Sequence, residues 1–156
     1  MKKKLLLALG LMLLPVVSNA ATPVDCRLMK RNETALACTI YYEARGATYL
    51  DKLAVSFITI NRSKKVNKSI VKIVKEPGQF TYLRQKKLVP REKEAWEESK
   101  SLAKQMIRLA QDDTMYSAVD FTRGATYYHD ISIKNPWNFT KTFKTANLVT
   151  YRDDKL

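Results

Sequence analysis

The stretch that most constrains the fold is residues 39–46, which has the pattern of a buried helix ending in a glycine. Leu36, Ile40 and Glu43 are spaced at i, i+4 and i+7, so they share one face of this helix. Gly46 follows the last turn, where a left-handed residue is favoured. Glycine adopts this conformation easily because it has no Cβ atom. The sequence therefore predicts a buried helix with an acid on its apolar side.

Other segments predict further helices. Asn32 has the residue type of an N-cap for the first helix. Residues 51–62 are apolar at too many positions for a surface element, and they fit either a buried helix or a strand. A serine caps a short helix predicted over residues 70–75. The longest predicted helix covers residues 90–111, with a proline at its first position and glutamates gathered near its start.

After this helix the sequence pattern changes from helical to strand-like. Residues 124–129 and 147–152 are rich in β-branched and aromatic side chains, which is typical of strands. Residues 135–139 form a loop between them. We therefore expect an α+β domain, mainly helical, with a small antiparallel ribbon packed against the helices.

The first twenty residues have the pattern of a secretory signal peptide. Three lysines precede an almost wholly apolar run, and Ala20 ends a small-x-small cleavage site. The alternative is a retained membrane anchor, although the run is shorter than a bilayer span needs and Pro15 interrupts it. We expect residues 21–156 to form one domain that is exported to the periplasm, the cell wall or the extracellular space.

The sequence contains two cysteines, Cys26 and Cys38. An even number of cysteines in an exported chain predicts one disulfide, and two buried free thiols are the alternative. In the chain-entropy model, a disulfide that closes the loop between them would stabilise the folded state by about 3 kcal/mol. Since His129 is the only histidine, we expect no zinc site, and we expect no other cofactor.

The chain is strongly basic, with a formal net charge of +13 that falls to +10 without the three lysines of the leader. A basic exported protein is attracted to anionic polymers, such as cell-wall material, membrane surfaces or nucleic acid. The sequence has none of the common nucleic-acid-binding motifs, so a nucleic-acid partner is not expected. We expect a monomer that binds the cell wall.

Five short motifs follow one another in a characteristic order. They are YEARG at 42–46, AV with NR at 54–62, PGQF at 77–80, GATYY at 124–128 and PW at 136–137. Together they resemble the cell-wall hydrolase family of the spore cortex-lytic enzymes. The resemblance implies a small lysozyme-like domain that cuts peptidoglycan glycan strands between N-acetylmuramic acid and N-acetylglucosamine. It also implies that Glu43 is the catalytic acid.

The chemistry of glycosidic cleavage gives Glu43 a definite role. A glutamate among apolar and aromatic neighbours keeps its proton near neutral pH and can protonate the leaving oxygen. An ion pair with Arg45 or another cation is the non-catalytic alternative. No convincing second carboxylate is present, and Asp51, Asp120 and Asp130 are candidates only by elimination. A lytic transglycosylase is therefore favoured over a muramidase-type hydrolase, and a non-catalytic cationic wall-binding module is the alternative from another class.

Aromatic and amide side chains in the motifs are candidates for sugar binding, because sugars stack on rings and hydrogen-bond to amides and hydroxyls. Core packing is the alternative for each aromatic. The candidate substrate-binding residues are Gln79, Phe80, Thr126, Tyr127, Asn135 and Trp137.

Overall fold

A computed structural model describes residues 23–155 of the chain. Its helices are α1 (Asn32–Ala44), α2 (Tyr49–Lys65), α3 (Ile70–Lys75), α4 (Lys93–Leu109) and α5 (Asp113–Val119), with a 3-10 turn at Thr81–Arg84. Its strands are β1 (Tyr127–Asp130), β2 (Thr140–Lys144) and β3 (Leu148–Arg152). The predicted signal peptide lies outside the described residues. Among the described residues, no helix is both long enough and apolar enough to cross a membrane.

Helix α1 is the centre of the core and packs against α2, α3 and α4. Leu36 and Ile40 are fully buried, as their shared face predicts. Gly46 adopts a φ of +78°, so the predicted left-handed residue after the helix is confirmed. The predicted N-cap is wrong, because Arg31 occupies that position and the Asn32 side chain accepts a hydrogen bond from the Val71 amide instead.

Helix α2 resolves the ambiguity between helix and strand. Thr48 and Asp51 form a capping box, in which the threonine oxygen accepts from the Asp51 amide and the carboxylate accepts from the Thr48 amide. Basic residues in the last turn suit the negative end of the helix dipole. The apolar positions are buried on several sides because α1, α3, α4 and β1 all contact this helix.

Helix α4 begins three residues later than predicted, at Lys93 and not at Pro90. The backbone amides of Arg91 and Glu92 both donate to the Tyr41 hydroxyl at 3.1 Å. These donors are therefore satisfied by a side chain of α1, and the segment before Lys93 stays extended. Helix α5 was not predicted, because it has seven residues and buries only Tyr116.

The sheet has three antiparallel strands in the order β1-β3-β2. The predicted ribbon of β1 and β3 is confirmed, with Tyr128 opposite Thr150. Strand β2 was missed because its residues are mostly exposed and lack an apolar alternation. The α+β fold class is confirmed, and the sheet has one more strand than predicted.

The predicted disulfide is present. Cys26 and Cys38 are bonded, with their Cα atoms 5.8 Å apart, and both are fully buried. The Cys26 amide also donates to the Leu88 carbonyl at 2.9 Å. The bond therefore fastens the N-terminal segment to α1, five residues before Glu43.

Candidate active site

Glu43 lies at the C-terminal end of α1 and faces the sheet. Its Oε2 accepts a hydrogen bond of 2.6 Å from the hydroxyl of Tyr128 on β1. The carboxylate is half-buried, and it lines a groove with Asp130 and Leu148. Tyr128 of the sheet therefore holds the carboxylate of Glu43 from the opposite side of the site.

Arg62 supplies a positive charge to the same site from α2. Its Nε donates to the Thr126 carbonyl at 2.5 Å. Its guanidinium carbon lies 5.1 Å from the ring centre of Phe80 and 5.7 Å from that of Tyr127. The guanidinium is thus held between two rings and a carbonyl, and its charge acts on Glu43 without a direct ion pair.

These surroundings change the acidity of Glu43. Burial raises the pKa of its carboxyl, because desolvation disfavours the charged form. The hydrogen bond from Tyr128 and the charge of Arg62 lower this pKa, and they only partly offset the burial. Burial also raises the pKa of Tyr128, so its hydroxyl remains a donor. The site can keep a proton on Glu43 at a higher pH than an exposed glutamate would.

The alternative partner for Glu43, Arg45, is engaged elsewhere. Its Nη1 lies 3.0 Å from a carboxylate oxygen of Glu92 and donates to the Tyr41 hydroxyl at 3.1 Å. Within residues 23–155, no salt bridge joins Glu43 to a cation. The ion-pair explanation for this acid is therefore wrong for the described part of the chain.

Two anchors hold the sheet against α2 beside Glu43, and the first is the Asn61–Arg62 pair of α2. The Asn61 amide nitrogen donates to the carbonyl of Ala125 at 3.0 Å and to Asp120 at 3.0 Å. Arg62 binds the next carbonyl, that of Thr126. Two successive residues of one helix thus hold two successive carbonyls at the start of the strand.

The second anchor is Asp51, which is fully buried. Its carboxylate accepts hydrogen bonds from the Thr145 hydroxyl and from the Asn147 amide group, in the turn between β2 and β3. Burial raises the pKa of Asp51, but the hydrogen bonds from Thr145, Thr48 and Asn147 outweigh it and lower the pKa overall. Asp51 therefore stays ionised as a structural acceptor that joins α2 to the sheet.

Two grooves lie near β1, one at each end of the strand. The basic groove, with a volume of about 290 Å³, has Arg62, Lys65, Ile73, Gln79, Thr126 and Tyr127 in its lining. The acidic groove, of about 300 Å³, has Glu43, Gly46, Asp51, Asp130, Asn147 and Leu148 in its lining. Tyr127 and Asp130 are about 10 Å apart along the strand, with Tyr128 and its bond to Glu43 between them.

The predicted sugar-binding residues separate into three groups. Gln79, Thr126 and Tyr127 line the basic groove. Trp137 is half-buried with its ring centre 5.4 Å from that of Tyr127, and exposed Asn135 accepts a hydrogen bond from the Trp137 amide.

Phe80 is in a different position from the other candidates. It is only 4 % exposed and belongs to the core, where its ring supports Arg62. Its predicted role as an open stacking wall is therefore corrected, since the ring has no free face for a sugar.

The remaining candidate groups have structural partners. Asp120 accepts hydrogen bonds from Asn61, Thr122 and Gly124, so it holds the loop before β1. His129 contacts the Tyr151 hydroxyl and the Asp130 carbonyl, which fits a structural histidine. Asp130 is exposed in the acidic groove, where the hydrogen bonds from Ser132 lower its pKa. Of the three carboxylates chosen by elimination, Asp130 alone combines exposure with a place beside Glu43.

Sequence reasoning missed two residues that act on Glu43, Arg62 and Tyr128. Both stand inside the motifs that suggested the family, NR at 61–62 and GATYY at 124–128. Tyr42, which precedes Glu43 on α1, stacks on Tyr82, with ring centres 5.1 Å apart.

A half-buried acid thus lies at the end of a core helix and faces a groove beside a small sheet. Residues 46–151 match the family described as Cell Wall Hydrolase, which is more than half of the chain. The chain therefore belongs to the cell wall hydrolase family. The matched range begins three residues after Glu43.

The fold is similar to a solved structure, the catalytic domain of the Bacillus cereus SleB protein. The TM-score is 0.56 at 20% sequence identity, and the match covers 79% of this chain and 91% of that chain. None of the curated proteins compared with the chain matches it significantly. The resemblance inferred from the five motifs is confirmed, and the family supports a cell-wall-cleaving enzyme that acts on peptidoglycan.

Proposed function

We propose that this protein is a lytic transglycosylase that cleaves peptidoglycan between N-acetylmuramic acid and N-acetylglucosamine, with Glu43 as general acid and then general base. The observation that supports this most is the environment of Glu43. The carboxyl is half-buried in a cleft and held by Tyr128, and its pKa is raised by burial. These are the properties that a proton donor needs near neutral pH.

In the first step Glu43 gives its proton to the glycosidic oxygen as the bond to the anomeric carbon breaks. The sugar passes through an oxocarbenium-like state and the leaving sugar departs with a new hydroxyl. The ionised Glu43 is then stabilised by the hydrogen bond from Tyr128 and the charge of Arg62. The 6-hydroxyl of the sugar attacks the anomeric carbon and returns its proton to Glu43, which gives a 1,6-anhydro product.

This route needs one catalytic carboxylate. Two of the three candidates for a second one already have structural roles. Asp51 is committed to capping α2 and to binding Thr145 and Asn147. Asp120 is committed to the loop before β1. Asp130 is the carboxylate that a muramidase-type hydrolase would use, which makes this hydrolase the second candidate function.

Digestion of purified peptidoglycan, followed by mass spectrometry of the products, tests the proposal. Anhydro-muropeptides are the expected products, whereas reducing ends would identify the hydrolase. A folded protein that binds peptidoglycan and releases no soluble product would be the non-catalytic wall-binding module.

Replacement of Asp130 by asparagine separates the two mechanisms further. A transglycosylase that uses Glu43 alone should lose less than about threefold in rate, because Asp130 is an exposed lining residue. A hydrolase that needs Asp130 to activate water should lose about a hundredfold or more. Initial rates of peptidoglycan solubilisation measure this difference, and a hundredfold loss would overturn the single-carboxylate mechanism.

Replacement of Tyr128 by phenylalanine should change the pH dependence of the reaction. The lost hydrogen bond no longer stabilises the ionised carboxyl, so the pKa of Glu43 should rise further. Because the general acid must be protonated, the basic limb of the pH–rate profile should move to higher pH. We also expect a rate loss of about tenfold, since the charged product of proton transfer loses its donor.

The matched control is Tyr49→Phe, which removes the hydroxyl of an exposed tyrosine at the start of α2. This variant should keep the wild-type pH–rate profile. An unchanged basic limb in the Tyr128 variant would contradict the role given to that hydrogen bond.

A further inference from the structure

The two grooves near β1 carry opposite charge. The lining of the basic groove has three cations, Arg62, Lys65 and Lys68, and one carboxylate, Glu76. The lining of the acidic groove has Asp51 and Asp130, the protonated acid Glu43, and one cation, Arg45, which pairs with Glu92. A glycan strand bound across both grooves would therefore pass from a positive end to a negative end.

Existing partners neutralise some of these charges and leave others available. Lys68 pairs with Glu76 at 2.6 Å, so these two largely cancel. Lys65 donates to the Asp153 carbonyl, and its charge also helps to lower the pKa of the Asp154 carboxyl without a salt bridge. Within residues 23–155, neither Arg62 nor Lys65 has a carboxylate within salt-bridge distance. The positive charge of the basic groove thus comes from Arg62 and Lys65.

Arg62 is also incompletely satisfied. Its Nη1 and the hydroxyl oxygen of Thr126 are buried, and neither has a hydrogen-bond partner within the described residues. Burying a guanidinium without a counter-ion is costly, and an anion brought close to it would offset that cost. The rings of Phe80 and Tyr127 and the Thr126 carbonyl hold the group in position in advance.

We propose that the basic groove is a subsite for a carboxylate carried by the glycan strand. This proposal rests on the proposed function, because the strand is taken to be peptidoglycan. Two sources supply this chemistry, the lactyl ether of muramic acid and the peptide stem attached to it. The carboxylate lies toward Arg62 and Lys65, and uncharged sugar lies along the acidic groove, so strands bind in one direction across Glu43.

Shape and apolar lining agree with this assignment. Val66 and Ile73 face the basic groove beside the cations, where the methyl group of a lactyl or alanyl unit would be covered. The acidic groove repels an anionic substituent chiefly through the exposed carboxylate of Asp130. Attraction at one end and repulsion at the other both favour the same orientation.

Binding measurements with the Glu43→Gln variant test the subsite without cleavage. The first ligand is a soluble peptide-free glycan strand with free lactyl carboxylates, and the second is the same strand after its carboxylates are amidated. Peptide-bearing strands, used before and after amidation, form a second pair that identifies the source of the carboxylate. Tighter binding of the unamidated member of either pair is expected, and the difference should shrink as salt is raised.

Three additional substitutions provide matched changes of charge. Lys65→Gln should weaken the binding of carboxylate-bearing strands by about two- to fivefold, and Glu76→Gln should strengthen it by a similar factor. Neither should change the binding of amidated strands. Lys104→Gln changes the charge of the protein equally but alters an exposed residue of α4 outside the groove, so it should have no effect.

The outcomes separate this subsite from the proposed function. Equal affinity for strands before and after amidation, in both pairs, would overturn the carboxylate subsite while leaving glycan cleavage intact. An equal loss in Lys65→Gln and Lys104→Gln would also overturn it, since the attraction would then belong to the whole basic surface. If no strand binds and the wild type cleaves none, the proposed function itself fails.

Discussion

Replacement of Glu43 by glutamine is expected to lower the rate of peptidoglycan cleavage by about a hundred- to ten-thousandfold. Glutamine has nearly the same shape and can keep a contact with Tyr128, but it cannot give a proton to the glycosidic oxygen. Binding of glycan strands should change little, because the cleft keeps its lining. The release of soluble muropeptides, measured against the wild type, gives the rate.

The same variant should be more stable than the wild type at neutral pH. Burial raises the pKa of Glu43 in the folded state. The free energy of unfolding therefore falls as the pH rises from the unfolded-state pKa through the folded-state pKa. Glutamine never ionises and avoids this loss. The difference should disappear below about pH 4, where the carboxyl is protonated in both the folded and the unfolded chain. Urea unfolding at the two pH values measures it.

Glu94→Gln is the matched control, because it makes the same change at an exposed position of α4. It should keep the rate of the wild type and should lose, not gain, about 0.3 kcal/mol of stability, because Glu94 lies in the first turn of α4. If the Glu43 variant retained more than about a tenth of the wild-type rate, Glu43 would not be the general acid.

Removal of the disulfide is expected to have the largest effect on stability. Replacing both Cys26 and Cys38 by alanine should lower the free energy of unfolding by about 3 kcal/mol, mainly because the unfolded chain gains freedom. Both sulfurs are fully buried, so lost packing adds to this effect. The unfolding midpoint in urea at a fixed temperature measures the change.

Reductant supplies the control for this prediction. It should destabilise the wild type and leave the double alanine variant unaffected, since the variant has no bond to break. Equal midpoints for the oxidised wild type and the variant would contradict the stabilising role of the bond. Because Cys38 precedes Glu43 on α1, the variant also tests whether the anchor of that helix affects the rate.

Local signals in the sequence predicted many parts of the fold. The spacing of Leu36 and Ile40 predicted two of the buried residues of α1, which is buried on all sides over residues 35–41, and Gly46 marked its end. Ser69 was correctly predicted to cap α3, where its side chain accepts from the Lys72 amide. Such signals depend on residues a few positions apart, so they can be read without knowing the tertiary structure.

Two predicted helix starts were wrong because a residue distant in sequence binds the groups concerned, and one strand was missed because it lacks an apolar pattern. The start of α4 moved because Tyr41 binds the amides of Arg91 and Glu92. Asn32 did not cap its own helix because it binds α3. Strand β2 is mostly exposed, so nothing in its apolar pattern distinguished it from a loop.

The sequence alone determined that an acid ends a core helix and that five motifs link it to a family, and it predicted a disulfide before that acid. Only the tertiary structure decided what surrounds that acid. Tyr128 is 85 positions away along the chain, and Arg62 comes from another helix. Burial, hydrogen bonding and charge at Glu43 depend on distances in space, and helical periodicity contains no information about them. The opposite charges of the two grooves arise in the same way, because residues from separate elements meet on either side of β1.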